Sequence, residues 1–215
     1  MPFGIIYYFV RYSIYNQKRE KELTIENQKM ELSLLRAQIN PHFLMNSLNN
    51  IQSLVYLKSD RATDAIDHLS DLLKYTLYQN EKWITIREEM DMIEKYISLE
   101  RLRHDYEFVL DIDIDEELYA HEIPQYLLLP LFENAFKHAQ LKSKDYPFFL
   151  RITKSEKGIL IQSSNEMVRK SKDGVGGIGL ENLRKRLELL FEKNYTLEIE
   201  QNNNNFYIKI LLPDQ

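Results

Sequence analysis

Two hydrophobic rhythms divide this chain. Over residues 61–78 the apolar positions are Ala62, Ala65, Ile66, Leu69, Leu72, Leu73 and Leu77, one face of a helix. Over 38–52, QINPHFLMNSLNNIQ, a second stripe of Ile39, Phe43, Leu44, Leu48 and Ile51 falls at the same spacing. A short polar turn at 58–61 separates the two, which predicts an antiparallel helical hairpin. Two such hairpins from two chains bury both stripes in a four-helix bundle. A third helix is predicted over 86–103, with acidic residues near its start and Arg101 and Arg103 near its end, as the helix dipole favours.

From residue 107 the rhythm changes to period two. The stretch 107–114, with FVLDIDI at its centre, reads as a strand, and 148–154, 158–163, 195–200 and 206–212 are four more. Helices are expected at 124–139 and 180–192. Five strands with three helices on one face predict an α+β sandwich. The boundary between hairpin and sandwich is expected near 79–83, so the chain divides into 1–15, 16–36, 37–80 and 81–215.

The first of these segments, PFGIIYYFVRYSIY after the initial Met, holds an apolar and aromatic run followed by Arg11. A bilayer span needs about 20 apolar residues, so this run does not cross alone. It lacks the basic start and the cleavage site of a signal peptide. It is either the end of a transmembrane helix, or a short interfacial anchor, or a core helix. In the membrane readings Arg11, Lys18, Arg19 and Lys21 put the remainder of the chain in the cytoplasm. In 16–36, Ile25 and Leu32, continued by Leu35 and Ile39, form a short seam of coiled-coil type leading to the histidine segment.

Composition narrows the chemistry. The 215 residues carry a net charge of −5 with both signs interspersed, no footprint for nucleic acid. There is no cysteine, which excludes disulfides and cysteine metal sites.

Three stretches remain that could carry chemistry. In the first, His42 comes directly after Asn40-Pro41 and shares a helix face with Gln38, Asn46 and Asn49, which presents an imidazole on a polar stripe. Pro41 either opens a helix capped by Asn40 or kinks one that runs through. His68 reads as structural, and a zinc site from His42 and His68 would need further ligands. The second stretch is LLLPLFENAFKHAQ at 127–140. Leu128, Leu131, Phe132, Ala135 and Ala139 face a core, Asn134 and His138 share another face, and Glu133 and Lys137 a third. Such a helix can hold a metal–phosphate group, with the Asn carbonyl on Mg²⁺ and the cations on phosphate oxygens, or can be an ordinary Glu–Lys surface helix. In the third stretch Gly174, Gly176, Gly177 and Gly179 crowd in just before a helix. Glycines ahead of a helix N-terminus let backbone N–H groups close on phosphate. No Gly-Lys-Ser/Thr comes after them and no strand leads straight in, so neither a P-loop nor a Rossmann turn is indicated. The segment reads as a lid over a nucleotide or as a surface loop.

Taken together, QINPHFLMNSLNNI resembles the phospho-acceptor box of LytS/YehU-type sensor histidine kinases, LLLPLFENAFKHA their N box, and GVGGIGLENLRKRLELLF their glycine box, in the same order. The resemblance runs from about residue 35 to 213. It implies a dimeric histidine domain followed by a GHKL (Bergerat) ATP-binding domain, autophosphorylation of His42 from Mg·ATP, and transfer to an aspartate on a response regulator, often of LytTR type. It also implies a homodimer at the bacterial cytoplasmic membrane with its catalytic part in the cytoplasm, and no direct contact with nucleic acid. By the same match Asn134 would ligate Mg²⁺, Glu133 would stand near the attacking imidazole, and Lys137 and His138 would line the phosphates. Gly177 and Gly179 would hinge the lid, while Leu180, Asn182 and Arg186 would support the nucleotide side.

Many GHKL kinases carry Asp-x-Gly before the lid, where the carboxylate accepts from the adenine amino group. Here the sequence is Ser163-Ser164-Asn165-Glu166-Met167, and Asn165 can accept through its amide oxygen. Asn205-Phe206 replaces the closing Gly-Thr. These departures open a second reading, a dimeric scaffold that binds nucleotide but phosphorylates weakly. A third is an ATPase that uses water in place of His42.

Overall fold

Thr85 starts the helix on which the fold is organised. Its backbone is extended (φ −69°, ψ 151°), its hydroxyl accepts from the Glu88 N–H at 3.2 Å, and the Glu88 carboxylate accepts from the Thr85 N–H at 2.8 Å. This capping box satisfies two backbone donors at once. The same bonds hold the Glu88 carboxyl below the usual carboxylate range. The structure is a computed structural model that describes residues 11–19, 21, 41–77, 83–104, 106–139, 141–142, 147–167, 178–202 and 204–214.

The chain divides into two units, residues 1–39 and 40–215. In the first, residues 11–19 are helical (α1) and expose Tyr12, Ile14 and Tyr15. The expected coiled-coil seam lies outside the described residues.

The second unit opens with helices α2 (Pro41–Tyr56) and α3 (Arg61–Leu77), the predicted hairpin. Strand β1 (Trp83–Thr85) leads into α4 (Ile86–Arg101), whose Ile86, Ile93 and Leu99 are fully buried. Next come β2 (Leu110–Ile114), a 3₁₀ turn (Glu116–Ala120), β3 (Glu122–Pro124), α5 (Leu129–His138), β4 (Phe148–Ser155), β5 (Gly158–Glu166), α6 (Ile178–Phe191), β6 (Thr196–Asn202) and β7 (Asn205–Leu212).

Five strands form one sheet in the order β2-β4-β5-β7-β6. β2 and β4 run parallel, joined by the crossover through α5, and the other pairs are antiparallel. Alternate residues Leu150, Ile152, Ile161, Ile208 and Ile210 are buried. The other face carries exposed pairs, Arg151 with Asp113 at 2.9 Å and Lys209 with Glu198 at 3.0 Å. Gly158 turns β4 into β5 at φ +122°, where a Cβ would stand 2.0 Å from the Leu212 carbonyl oxygen, so no other residue fits.

This α+β architecture is the one the sequence predicts, with three local corrections. The expected helix over 124–139 is shorter at its start. Glu122–Pro124 pairs antiparallel with Trp83–Thr85, and residues 125–128 turn before α5 begins at Leu129. The strand expected over 107–114 begins at Leu110, because Phe108 is drawn into an aromatic cluster with Phe136 at 4.6 Å. In α2, Leu48 is expected in the apolar stripe but is 47% exposed, and Ser47 is buried in its place. The buried line is Phe43–Ser47–Ile51, which keeps Phe43 and Ile51 of the expected stripe and replaces Leu48 by Ser47. Likewise Ile66 on α3 is 45% exposed, while Ala65, Leu69, Leu72 and Tyr75 are buried.

Candidate active site

The site is built outward from α5. Its first turn has no side-chain cap of its own, because Leu128 stands at the cap position. A carboxylate from α4 fills that role. Glu89 Oε1 accepts from the Leu128 N–H at 2.9 Å and the Leu129 N–H at 3.2 Å. These are donors that a helix start would otherwise leave unpaired. Glu89 is fully buried, and its Oε2 has no partner among the described residues. Burial pushes its carboxyl up to about 7, against the pull of the backbone donors and Arg186.

A second layer supports this cap. Arg186 of α6 donates to the Gln125 carbonyl and lies over the Tyr126 ring, 5.2 Å from its centre. The Gln125 amide donates to the Tyr75 carbonyl of α3 at 3.1 Å, and the Tyr75 and Tyr126 rings stand 4.7 Å apart. Tyr126 holds the left-handed conformation at φ +62°. Burial raises both phenols and lowers the Arg186 guanidinium.

On α5 itself Leu131, Phe132 and Ala135 face the core, as expected, with Ala139 half-buried just beyond the helix end. Glu133, Asn134 and His138 are half-buried and Lys137 is exposed. The pairs Asn134/His138 and Glu133/Lys137 each stand one turn apart. Glu133 is pushed up to about 7, first by burial and then by the nearby charge of Glu100. The first turn of α6 stands beside it. A Cβ on Gly179 would lie 3.6 Å from Glu133 Oε2, an ordinary contact distance. At the other end of α5, Ala139 forms a β-bridge with Met167 just past the end of β5. Buried Asn165 lies two residues before that bridge and donates to the Glu166 carbonyl at 3.4 Å.

The structure therefore groups Glu133, Asn134, Lys137 and His138 on α5, with Asn165 linked through the bridge and Gly179 at the start of α6. Leu180 is buried and Asn182 half-buried on α6. Arg186 is engaged with the 125–126 turn. Gly174, Gly176 and Gly177 lie outside the described residues. The donor set of a half-buried amide, a cation, an imidazole and a nearby helix N-terminus is of a kind that can hold a magnesium–nucleotide.

His42 is exposed near the start of α2, and the Asn46 amide nitrogen stands 3.2 Å from each ring nitrogen. Asn49 is also exposed, and Gln38 lies outside the described residues. His68 is half-buried with Nδ1 3.1 Å from the Ser98 hydroxyl, consistent with its structural reading. Among the described residues no group of three or more His, Cys, Asp or Glu is placed to hold a metal.

Two carboxylates escape sequence inspection, Glu89 and Glu100. Glu100 is 2% exposed and takes Arg103 Nη1 at 2.8 Å on each oxygen. Their signal is positional. Both fall on the buried stripe of α4, with Ile86, Ile93, Tyr96 and Ile97, where a charge needs a partner.

Known proteins share this outline. The family profile described as histidine kinase matches residues 30–108, which hold the hairpin and α4. Sensor protein LytS of Staphylococcus saprophyticus is 29% identical over 199 residues, covering 85% of this chain and 34% of its own length. Sensor histidine kinase YesM of Bacillus subtilis is 35% identical over 188 residues, covering 84% of this chain and 32% of its own. The chain thus spans about a third of the length of these curated relatives. Among solved structures a bacterial phosphotransferase is similar, with a TM-score of 0.50 at 10% identity over 83% of this chain and 94% of that one, a likeness of fold.

Proposed function

We propose that this chain, which matches the histidine kinase family over residues 30–108 and resembles sensor histidine kinases over most of its length, is the kinase part of a two-component sensor, in which His42 takes the terminal phosphoryl group of ATP. The observation that carries this reading is the alignment of Glu133, Asn134 and His138 along α5 with the start of α6 beside Glu133, in a chain that also exposes His42.

Phosphoryl transfer asks a protein for positioning and for neutralisation of charge more than for covalent chemistry. In this proposal the His42 imidazole attacks the terminal phosphorus, the bond to the bridging oxygen breaks, and ADP leaves with that electron pair. Glu133 receives the proton released from the imidazolium. Its elevated proton affinity, near 7, suits that task at neutral pH. Lys137 and His138 meet the phosphate oxygens, Asn165 accepts from the adenine, and Gly177 and Gly179 hinge the lid. Leu180, Asn182 and Arg186 support the nucleotide side, Arg186 by way of the turn it holds. Mg²⁺, when bound by Asn134, supplies charge neutralisation between phosphates.

The phosphoryl group then passes to an aspartate in the receiver domain of a response regulator, of LytTR type. The exposed apolar side chains Met45, Leu48, Val55 and Ile66 support a homodimer in which a second hairpin covers them. Exposed Tyr12, Ile14 and Tyr15 on α1 support attachment of the N-terminus to the cytoplasmic membrane. Among the described residues no helix is long and apolar enough to cross a membrane.

The test is incubation with Mg²⁺ and γ-labelled ATP beside His42→Gln and Asn134→Ala. Acid-labile, base-stable label on the wild type and on neither variant is the expected result. Nucleotide binding without label would make the chain a scaffold, and label surviving in His42→Gln would move the acceptor elsewhere.

A further inference from the structure

We propose that Phe43 is a positioning residue that docks the histidine helix on Tyr96 of its own chain, so that His42 is phosphorylated by the nucleotide helix of the same chain. This rests on the kinase reading above and adds to it which chain supplies the nucleotide.

The geometry is a bridge of three rings. His42 is exposed, whereas Phe43, the next residue, is 9% exposed. Its ring centre lies 4.8 Å from that of Tyr96 on α4, tilted by 34°. Tyr96 in turn meets Phe136 of α5 edge-on at 5.6 Å. Phe136 stands two residues beyond Asn134 and one before Lys137. Aromatic pairs at these separations attract beyond the area they bury, and the edge-to-face geometry of the Tyr96–Phe136 pair fixes direction as well as distance. The middle ring is itself anchored. The Tyr96 hydroxyl bonds to the Glu100 carboxylate, which Arg103 grips on both oxygens at 2.8 Å.

The rest of the hairpin is tied to the same helix. Lys95 of α4 reaches Asp71 of α3 at 2.6 Å, and His68 of α3 lies 3.1 Å from Ser98 of α4. The acceptor helix therefore rests on an element that also touches the nucleotide helix, all within one compact unit of one chain. The anchor and the nucleophile are adjacent residues. A rigid helix carries a displacement of Phe43 directly to His42, and reaction rates are sensitive to errors of about 1 Å.

The docking face also contains a reason for the contact to be reversible. Ser47 Oγ and Asn50 Nδ2 lie buried on α2 with no partner among the described residues, which works against the apolar contact.

The test has a structural arm and a kinetic arm, both on the full chain. A photo-reactive p-benzoyl-phenylalanine at position 43 is cross-linked in a mixture of light and heavy isotope-labelled chains. Cross-links from 43 to peptides of α4 or α5 within one isotope are expected, and mixed-isotope cross-links would overturn the proposal. In the kinetic arm, His42→Gln and Asn134→Ala chains are mixed and assayed for label. No restored label is expected, and restoration would show transfer between chains. Phe43→Ala lowers the rate of His42 labelling about tenfold with an unchanged KM for ATP. Phe43→Tyr keeps the wild-type rate, and a Phe43→Ala chain that labels normally would overturn the role. A wild type without label would remove the kinase reading and this role with it. A labelled wild type with mixed-isotope cross-links would remove this proposal alone.

Discussion

Helices α2 and α4 are both sixteen residues long and amphipathic, yet they sit in the protein in opposite ways. α4 is capped by the Thr85–Glu88 box and buries two carboxylates, each with partners: Glu89 takes two backbone N–H groups and Glu100 takes Arg103. α2 buries Ser47 Oγ and Asn50 Nδ2 with no partner among the described residues, and exposes Met45, Leu48 and Val55 to 58%, 47% and 54%. One helix gives each of its buried carboxylates at least one strongly held oxygen, although Glu89 Oε2 has no partner among the described residues. The other has apolar groups outside and polar groups inside. Physically, α4 is a fixed beam and α2 is a helix suited to changing partners, as the phospho-acceptor role proposed for it would require.

The largest expected effect tests the beam. Ile93 of α4 is fully buried, and Ile93→Ala should cost about 2–5 kcal/mol in urea unfolding. The corresponding truncation of exposed Leu48 on α2 should cost no more than about 0.5 kcal/mol. Equal losses would erase the contrast.

Glu89 gives the next effect, and its sign is set by linkage. Its carboxyl holds a proton up to about 7 in the folded chain against an ordinary value of 4.5, so the folded state binds more protons between those limits. Stability from this group is present below pH 4.5 and is lost as pH rises toward 7. Glu133 acts in the same direction. Glu89→Gln keeps an acceptor for the Leu128 and Leu129 N–H groups and removes this dependence. The stability of the variant relative to the wild type should therefore rise by on the order of 1–3 kcal/mol between pH 4.5 and 8. Parallel pH profiles would mean that Glu89 is ionised throughout, paired with Arg186.

The smallest effect is a gain. Ser47→Ala removes a buried hydroxyl that has no partner among the described residues and adds helix propensity, so thermal unfolding should show up to about 1 kcal/mol of stabilisation. A loss would show that the hydroxyl is satisfied and that α2 is held more like α4.

Much of the fold is legible in the chain. The strand expected over 148–154 is Phe148–Ser155, and the helix over 61–78 is Arg61–Leu77. Where expectation and structure part, a distant partner is responsible. The 124–139 stretch reads as one helix, but the backbone of Glu122–Pro124 is claimed by Trp83–Thr85. On α2 the local pattern favours Leu48 for the core, and packing against the rest of the unit turns Ser47 inward. Among candidate site residues, the Asn134 helix and His42 can be picked out because i, i+4 spacing is local. Glu89 and Glu100 are harder: their place on the apolar stripe of α4 marks them as buried, but nothing local says which groups they meet.

The sequence by itself determined the helix and strand periods, the Thr85 cap and the order of the three motif stretches. These depend on interactions among residues a few positions apart, which the chain carries wherever it goes. Only the tertiary structure decided that a carboxylate from α4 would cap α5, across 39 and 40 residues of chain, and that Phe43 would meet Tyr96. Such contacts depend on which faces are left to bury once the local elements have formed, and that is a property of the packed whole.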